Sequence, residues 1–134
     1  VSSLPYPLLW PASGDWSRPF GMDYDETCKD YRFHNGTDMD LEEGSNIFCP
    51  LAGEVLSVEA DALWGVVVTI GHEGNLKTRY AGLQPVVMQG DQLETGDIIG
   101  QISDCPPIEE AQPSHLHFEI WEDDTAVNPT DYLN

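Results

Sequence analysis

This sequence predicts a mainly β domain, an antiparallel sheet or sandwich with little helix. Three observations predict it. Short segments in the middle of the chain alternate apolar and polar side chains or run through β-branched residues, which is the pattern of strands half-buried or buried in a sheet. Turn signals separate them at Gly74-Asn75, Gly90-Asp91 and Thr95-Gly96-Asp97. No segment carries an apolar stripe at helical spacing over the roughly 12 residues that a marginally stable helix needs.

The elements follow in chain order. Residues 1–20 interleave Pro5, Pro7, Pro11 and Pro19 with Trp10, Trp16 and Phe20. Proline lacks the N–H that a helix interior requires, so this stretch reads as an extended arm that packs aromatic rings and carries no chemistry. Asp23, Asp25, Glu26 and Asp30 make 21–30 an acidic, irregular surface loop. The central Gly and terminal Glu of an EF-hand loop do not stand at their offsets there. In the run from Tyr31 to Asp40, His34, Gly36 and Asp38 share one face if the chain is extended, with Gly36 leaving open space between the other two. Residues 53–60 alternate, 64–72 are apolar and β-branched, and 76–83 follow a turn; all three read as strands. Residues 86–100 hold short apolar pieces around two turns. Residues 103–114, with Pro106, Pro107, Glu109, Glu110 and Pro113, form a loop leading into His115-Leu116-His117-Phe118-Glu119. On a strand, His115, His117 and Glu119 face one side, and Leu116, Phe118 and Ile120 the other. Residues 128–133 read as a turn and a short terminal segment.

The 134 residues make one domain, 1–134, that buries roughly two-thirds of its unfolded surface. With 40% hydrophobic residues and four tryptophans it can close a core. Its charge is one-sided: 24 acidic residues against five Lys and Arg, a formal net charge of −19. Such a surface repels nucleic acid and anionic lipid or wall polymer and favours divalent cations or a basic protein partner; its ordinary reading is a solvated coat that keeps the protein soluble. Cys28, Cys49 and Cys105 contain no C-x-x-C pair and allow at most one bridge. The longest apolar runs, around 64–68 and 98–99, are far too short to cross a membrane, so no membrane contact is expected of the domain itself.

Three of the four histidines lie in two short motifs. Zinc in a hydrolase usually takes three ligands from His and Asp or Glu and leaves a fourth position for water. His34, Asp38 and His117 would form such a set, with His115 beside it as an acid/base group. The ion would lower the pKa of bound water and polarise a scissile carbonyl. An ordinary hydrogen-bonded His34–Asp38 pair and two half-exposed histidines on a strand fit the same spacing.

The string His34-Asn35-Gly36-Thr37-Asp38 resembles the H-x-G-x-D motif, and His115-Leu116-His117-Phe118-Glu119 the HLHFE motif, of the lysostaphin/LytM-type zinc metallopeptidases. Between them Gly44-Ser45-Asn46-Ile47, Ala52-Gly53-Glu54-Val55, Ile70-Gly71-His72, Gly74-Asn75-Leu76-Lys77-Thr78-Arg79-Tyr80 and Gly96-Asp97-Ile98-Ile99-Gly100 stand in the family's order. The resemblance covers roughly Trp10 to the C-terminus. It implies an antiparallel β fold of the duplicated hybrid motif type, with a groove that binds one zinc ion and cleaves peptides of bacterial peptidoglycan. By position it implies His34, Asp38 and His117 as zinc ligands, His115 as a catalytic histidine and His72 as a structural one.

At one point the sequence departs from the family. The second catalytic histidine belongs to a Tyr-Ala-His-Leu string, which here reads Tyr80-Ala81-Gly82-Leu83. Loss of a group that binds the attacking water or the developing oxyanion costs roughly two to four orders of magnitude in rate. No ligand is lost, so zinc binding with weak or absent peptidase activity is expected. The alternative is an active endopeptidase that uses His115 alone, or with a water or Tyr80 in place of the missing group.

Phe20-Gly21-Met22-Asp23-Tyr24, Glu26-Thr27, the run from Lys29 to Gly36, the Ile108-Glu109-Glu110 loop and Val127-Asn128-Pro129 are similar to the stage II sporulation Q branch of the family. That branch implies an extracytoplasmic domain on an N-terminal membrane anchor that the 134 residues do not include. It also implies degenerate catalytic groups and a protein partner across the space between two cells during engulfment, with peptidoglycan as the other candidate partner.

Overall fold

The computed structural model describes residues 8–103, 109 and 112–132. Its strands are β1 (Asp15–Arg18), β2 (Gly21–Asp25), β3 (Asp30–His34), β4 (Thr37–Asp40), β5 (Asn46–Phe48), β6 (Gly53–Asp61), β7 (Gly65–His72), β8 (Leu76–Ala81), β9 (Leu83–Pro85), β10 (Gln92–Leu93), β11 (Ile98–Ile102), β12 (His115–Glu122) and β13 (Thr125–Val127). Every pairing is antiparallel, as expected. An eight-stranded sheet runs β1-β4-β12-β8-β7-β6-β10 with β13 on β12, a second sheet runs β5-β11-β9, and β2-β3 stand as a separate pair.

β12 lies inside the large sheet, bonded to β4 on one side and β8 on the other. Its alternation divides the molecule. Leu116, Phe118 and Ile120 are wholly buried among Met39, Val68, Ile70 and Tyr80, and the second sheet closes this core with Ile47, Leu83, Ile99 and Ile102. Each such side chain contributes about 1.5–3 kcal/mol by leaving water. His115, His117 and Glu119 occupy the other face.

Two expectations are corrected. Residues 21–30 are not a surface loop: β2 pairs with β3 from Gly21↔His34 to Asp25↔Asp30, and Lys29 takes φ 58° at the turn. The acidic residues obscured an apolar ladder, Met22 opposite Phe33 and Tyr24 opposite Tyr31, with the two tyrosine rings edge-on at 5.3 Å. Nor is there open space at Gly36. A Cβ there would collide with the Phe118 carbonyl oxygen and lie 2.8 Å from Glu119 Cγ, so glycine is what lets the backbone approach β12.

Of the arm expected over residues 1–20, residues 1–7 lie outside the described residues. Leu8 is buried and donates its N–H to the Tyr132 carbonyl at 3.1 Å, Trp10 and Trp16 pack at 5.0 Å, and β1 joins the sheet edge. Cys28 and Cys49 are free thiols; Cys105 lies outside the described residues. Residues 104–108, 110 and 111 of the loop expected at 103–114 also lie outside them. Among the described residues no helix is long and apolar enough to cross a membrane.

Candidate metal centre

Register brings the two motifs together. In the β4–β12 ladder Asp38 stands directly opposite His117, and His34, at the end of β3, is brought to the same place through the Asn35-Gly36 connection, where Gly36 lets the backbone lie close against β12. Three ligand-capable atoms converge: His117 Nδ1 lies 2.8 Å from Asp38 Oδ1, His34 Nε2 lies 3.3 Å from the same oxygen, and the two nitrogens are 3.2 Å apart. All three side chains are buried.

The surroundings fix which nitrogen of each ring is available. A carbonyl oxygen only accepts, so His34 Nδ1 carries the proton it donates to the Pro19 carbonyl at 3.0 Å, leaving Nε2 free for a ligand. His117 Nε2 donates to Glu119 Oε2 at 2.8 Å, leaving Nδ1 free, and Glu119 Oε1 is itself held by Trp121 Nε1 at 2.7 Å. Asp38 Oδ2 accepts from Gln112 Nε2 at 2.8 Å, which turns Oδ1 inward. These are the outer partners that orient metal-binding imidazoles and carboxylates. Two imidazole lone pairs and carboxylate oxygens facing one another at such distances repel unless a cation or protons lie among them. The donor set therefore fits zinc.

Four residues of the site were not anticipated. Glu109 Oε2 lies 2.9 Å from His34 Nε2 and 3.3 Å from His117 Nδ1, while its Oε1 lies 2.8 Å from His115 Nε2. Arg18 Nη1 donates to Glu109 Oε2 at 3.1 Å and its Nη2 to Asp25 Oδ2 at 3.4 Å. The arm thus does supply a polar group. A register shift in β1 makes this possible: Trp16 pairs with Met39 on the core side, yet Arg18 pairs with Asp38 and faces the site. Gln112 bonds Asp38, and Trp64, from the turn before β7, lies tilted over the His117 ring at 4.3 Å. The acidic Glu109-Glu110 pair just before the His-Leu-His strand was a signal for the first; nothing local marked the others.

His115 is wholly buried beside the cluster, with Nδ1 donating to the Pro113 carbonyl at 2.8 Å and Nε2 engaged by Glu109. Gly82 has φ 94°, a backbone conformation costing an L-residue roughly 1–2 kcal/mol. A histidine placed there would be strained. Tyr80 does not replace the missing group. Its register partner is Phe118, so it points into the core, where its hydroxyl meets Thr78 Oγ1 at 2.6 Å. His72 is structural in its contacts: Nδ1 donates to the Ala52 carbonyl at 3.0 Å and Nε2 meets Thr78 Oγ1 at 2.8 Å, and burial lowers its pKa.

Burial disfavours every charge in the cluster, and mutual hydrogen bonding outweighs it. Against that penalty Asp38, bonded by His117 and His34, is held below the usual carboxylate range, and Glu109, bonded by His115, His117 and His34, far below it. Desolvation likewise opposes protonation of His34, yet Asp38 and Glu109 push it up to about 9; His115 and His117 move the same way.

Residues 32–129 match peptidase family M23. The chain belongs to that family. It is 33% identical over 107 residues to stage II sporulation protein Q of Bacillus subtilis (strain 168), an alignment covering 78% of this chain and 38% of that protein. A metalloprotease of Buchnera aphidicola is 27% identical over 97 residues, 72% of this chain and 25% of that one. This M23 domain thus spans well under half the length of either relative. Among solved structures, a chain of the SpoIIQ–SpoIIIAH pore-forming complex superposes with TM-score 0.84 at 24% identity, over 96% of this chain and 92% of that one. The catalytic domain of lysostaphin from Staphylococcus simulans superposes with TM-score 0.76 at 19% identity, over 89% and 91%. The chain is an M23 peptidase-fold domain related to the stage II sporulation Q protein.

Proposed function

We propose that this M23 domain binds one zinc ion through His34, Asp38 and His117, has little or no peptidase activity, and serves in sporulation as a protein-interaction module of the cell envelope. The observation that carries the metal reading is the convergence of His34 Nε2, Asp38 Oδ1 and His117 Nδ1 within 2.8–3.3 Å of one another. When bound, such an ion acts as a Lewis acid. Hydrolysis also needs groups that handle protons and the developing oxyanion. Gly82 offers no side chain, Tyr80 faces the core, and His115 is bonded to Glu109.

The interaction role is supported by the identity to stage II sporulation protein Q, whose structures are complexes with SpoIIIAH. A net charge of −19 steers a basic protein partner and opposes approach to anionic wall polymer. An extracytoplasmic location is supported by the same kinship, and a membrane anchor beyond these residues belongs to the same proposal.

The test is metal content after purification without added metal, followed by incubation with purified peptidoglycan. About one chelator-removable zinc per chain is expected, with no more peptide released than by His115→Ala. Turnover that disappears in His115→Ala would instead establish an active zinc endopeptidase. A protein that neither contains zinc nor takes it up would overturn the metal reading.

A further inference from the structure

The three positions that make up the proposed zinc site leave a fourth corner, and a side chain already stands in it. Glu109 Oε2 lies 2.9 Å from His34 Nε2 and 3.3 Å from His117 Nδ1. With the three distances among the other donors, five of the six edges joining these four atoms measure 2.8–3.3 Å. A tetrahedral zinc site with ordinary N and O ligand distances has donor–donor edges of roughly 3.3 Å. Four side chains thus already approximate that polyhedron, and His34, Asp38, Glu109 and His117 are all buried.

Charge leads to the same place. Asp25, Asp38, Glu109 and Glu119 are buried carboxylates, whereas Arg18 is the one buried guanidinium or ammonium group among the described residues. Arg18 is divided among Asp23, Asp25 and Glu109. A dication held by two neutral imidazoles and the carboxylates of Asp38 and Glu109 has its charge matched by its ligands; without Glu109 the ion would stay singly positive beside a buried carboxylate that does not ligate it, a charge separation costly in a buried site. The other oxygen of Glu109 takes the hydrogen bond of His115 Nε2 at 2.8 Å. One carboxylate therefore occupies the fourth position and engages the histidine beside it.

We infer that Glu109 is a fourth protein ligand, so that this M23 domain holds its zinc in a closed, structural site with no position open to water or substrate. The inference rests on the zinc reading above. It separates two causes of weak turnover: the missing side chain at Gly82 removes a catalytic group, whereas Glu109 removes the place where the reaction would begin.

The experiment uses the whole 134-residue chain with Co(II) in place of zinc, titrated with azide and followed by visible absorption. In wild type the spectrum is expected to stay unchanged, since a site saturated by protein has nowhere to admit the anion. Glu109→Ala and the near-isosteric Glu109→Gln should both show a saturable spectral change with azide. Zinc affinity from chelator competition should fall at least about tenfold in both variants, the lower bound for losing a group that merely supports a ligand. An azide response in the wild-type protein would overturn the inference while leaving the zinc reading intact, and would do so even if neither variant folded. Unchanged zinc affinity in Glu109→Gln would overturn it as well. Failure of the wild type to bind either metal would instead overturn the zinc reading itself.

Discussion

Glu119 accepts a hydrogen bond from His117 Nε2 at 2.8 Å, two residues along the same strand and on the same face. That bond holds the ring so that Nδ1 points at Asp38 and His34. Because the carboxylate acts through the imidazole, Glu119→Gln is expected to weaken zinc binding roughly 10- to 100-fold with the fold retained. Chelator competition on folded protein measures it, and an affinity equal to wild type would remove Glu119 from the account.

Gly36→Ala tests the close approach of the H-x-G-x-D turn to β12. The added methyl meets backbone at Phe118, which cannot swing aside as a side chain can. A loss of about 1–3 kcal/mol is expected from the overpacking, together with weaker zinc binding, because the displaced strand carries His117. Urea denaturation reads the first and chelator competition the second. A variant as stable as wild type would mean that the turn relaxes freely.

The pH dependence of the metal-free protein should have an unusual sense. His34 is protonated more readily in the folded state, up to about 9 against its ordinary 6.5. Its contribution to stability is therefore complete below pH 6.5 and lost as pH rises through about 9. Asp38 and Glu109 are shifted downward, so their contribution is present above the ordinary carboxylate range and lost in acid. Chelator-treated protein should thus melt at a lower temperature at pH 9 than at pH 6. Zinc should reverse the order, since ligating imidazoles must be neutral and binding strengthens as protons leave. Melting curves at the two pH values, with and without zinc, decide it; equal melting temperatures in the metal-free protein would contradict the proton-holding cluster.

Tyr80→Phe should leave zinc content and any residual peptide release unchanged, because the hydroxyl lies on the core side of β8 with Thr78. Its loss should cost about 0.5–1.5 kcal/mol, the ordinary worth of a buried hydrogen bond. A fall in activity without a fall in stability would place Tyr80 in the chemistry after all.

Periodicity and turn residues alone determined the class of this protein. Alternation through 53–60, the β-branched run at 64–72 and the glycines at 74, 90 and 96 express local backbone preferences, so the strands they predict are those observed. The two histidine motifs likewise marked His34, Asp38, His115 and His117, because strand parity already puts the paired groups on one side. Gly82 could be read as a missing side chain, whereas only the β8–β12 register, which sets Tyr80 opposite Phe118, turned Tyr80 away from His117.

Tertiary structure alone decided the rest. Arg18 reaches the site through a register shift between β1 and β4, and Gly36 is required by the backbone of a strand some eighty residues on, which no local pattern encodes. The acidic run at 21–30 hid a hairpin whose apolar partners meet only across it. Glu109 looked like one more carboxylate on a chain of net charge −19, and what distinguishes it is burial beside three histidines. Sequence specifies which groups a strand carries; whether a metal site is left open or filled depends on what the folded chain packs against it.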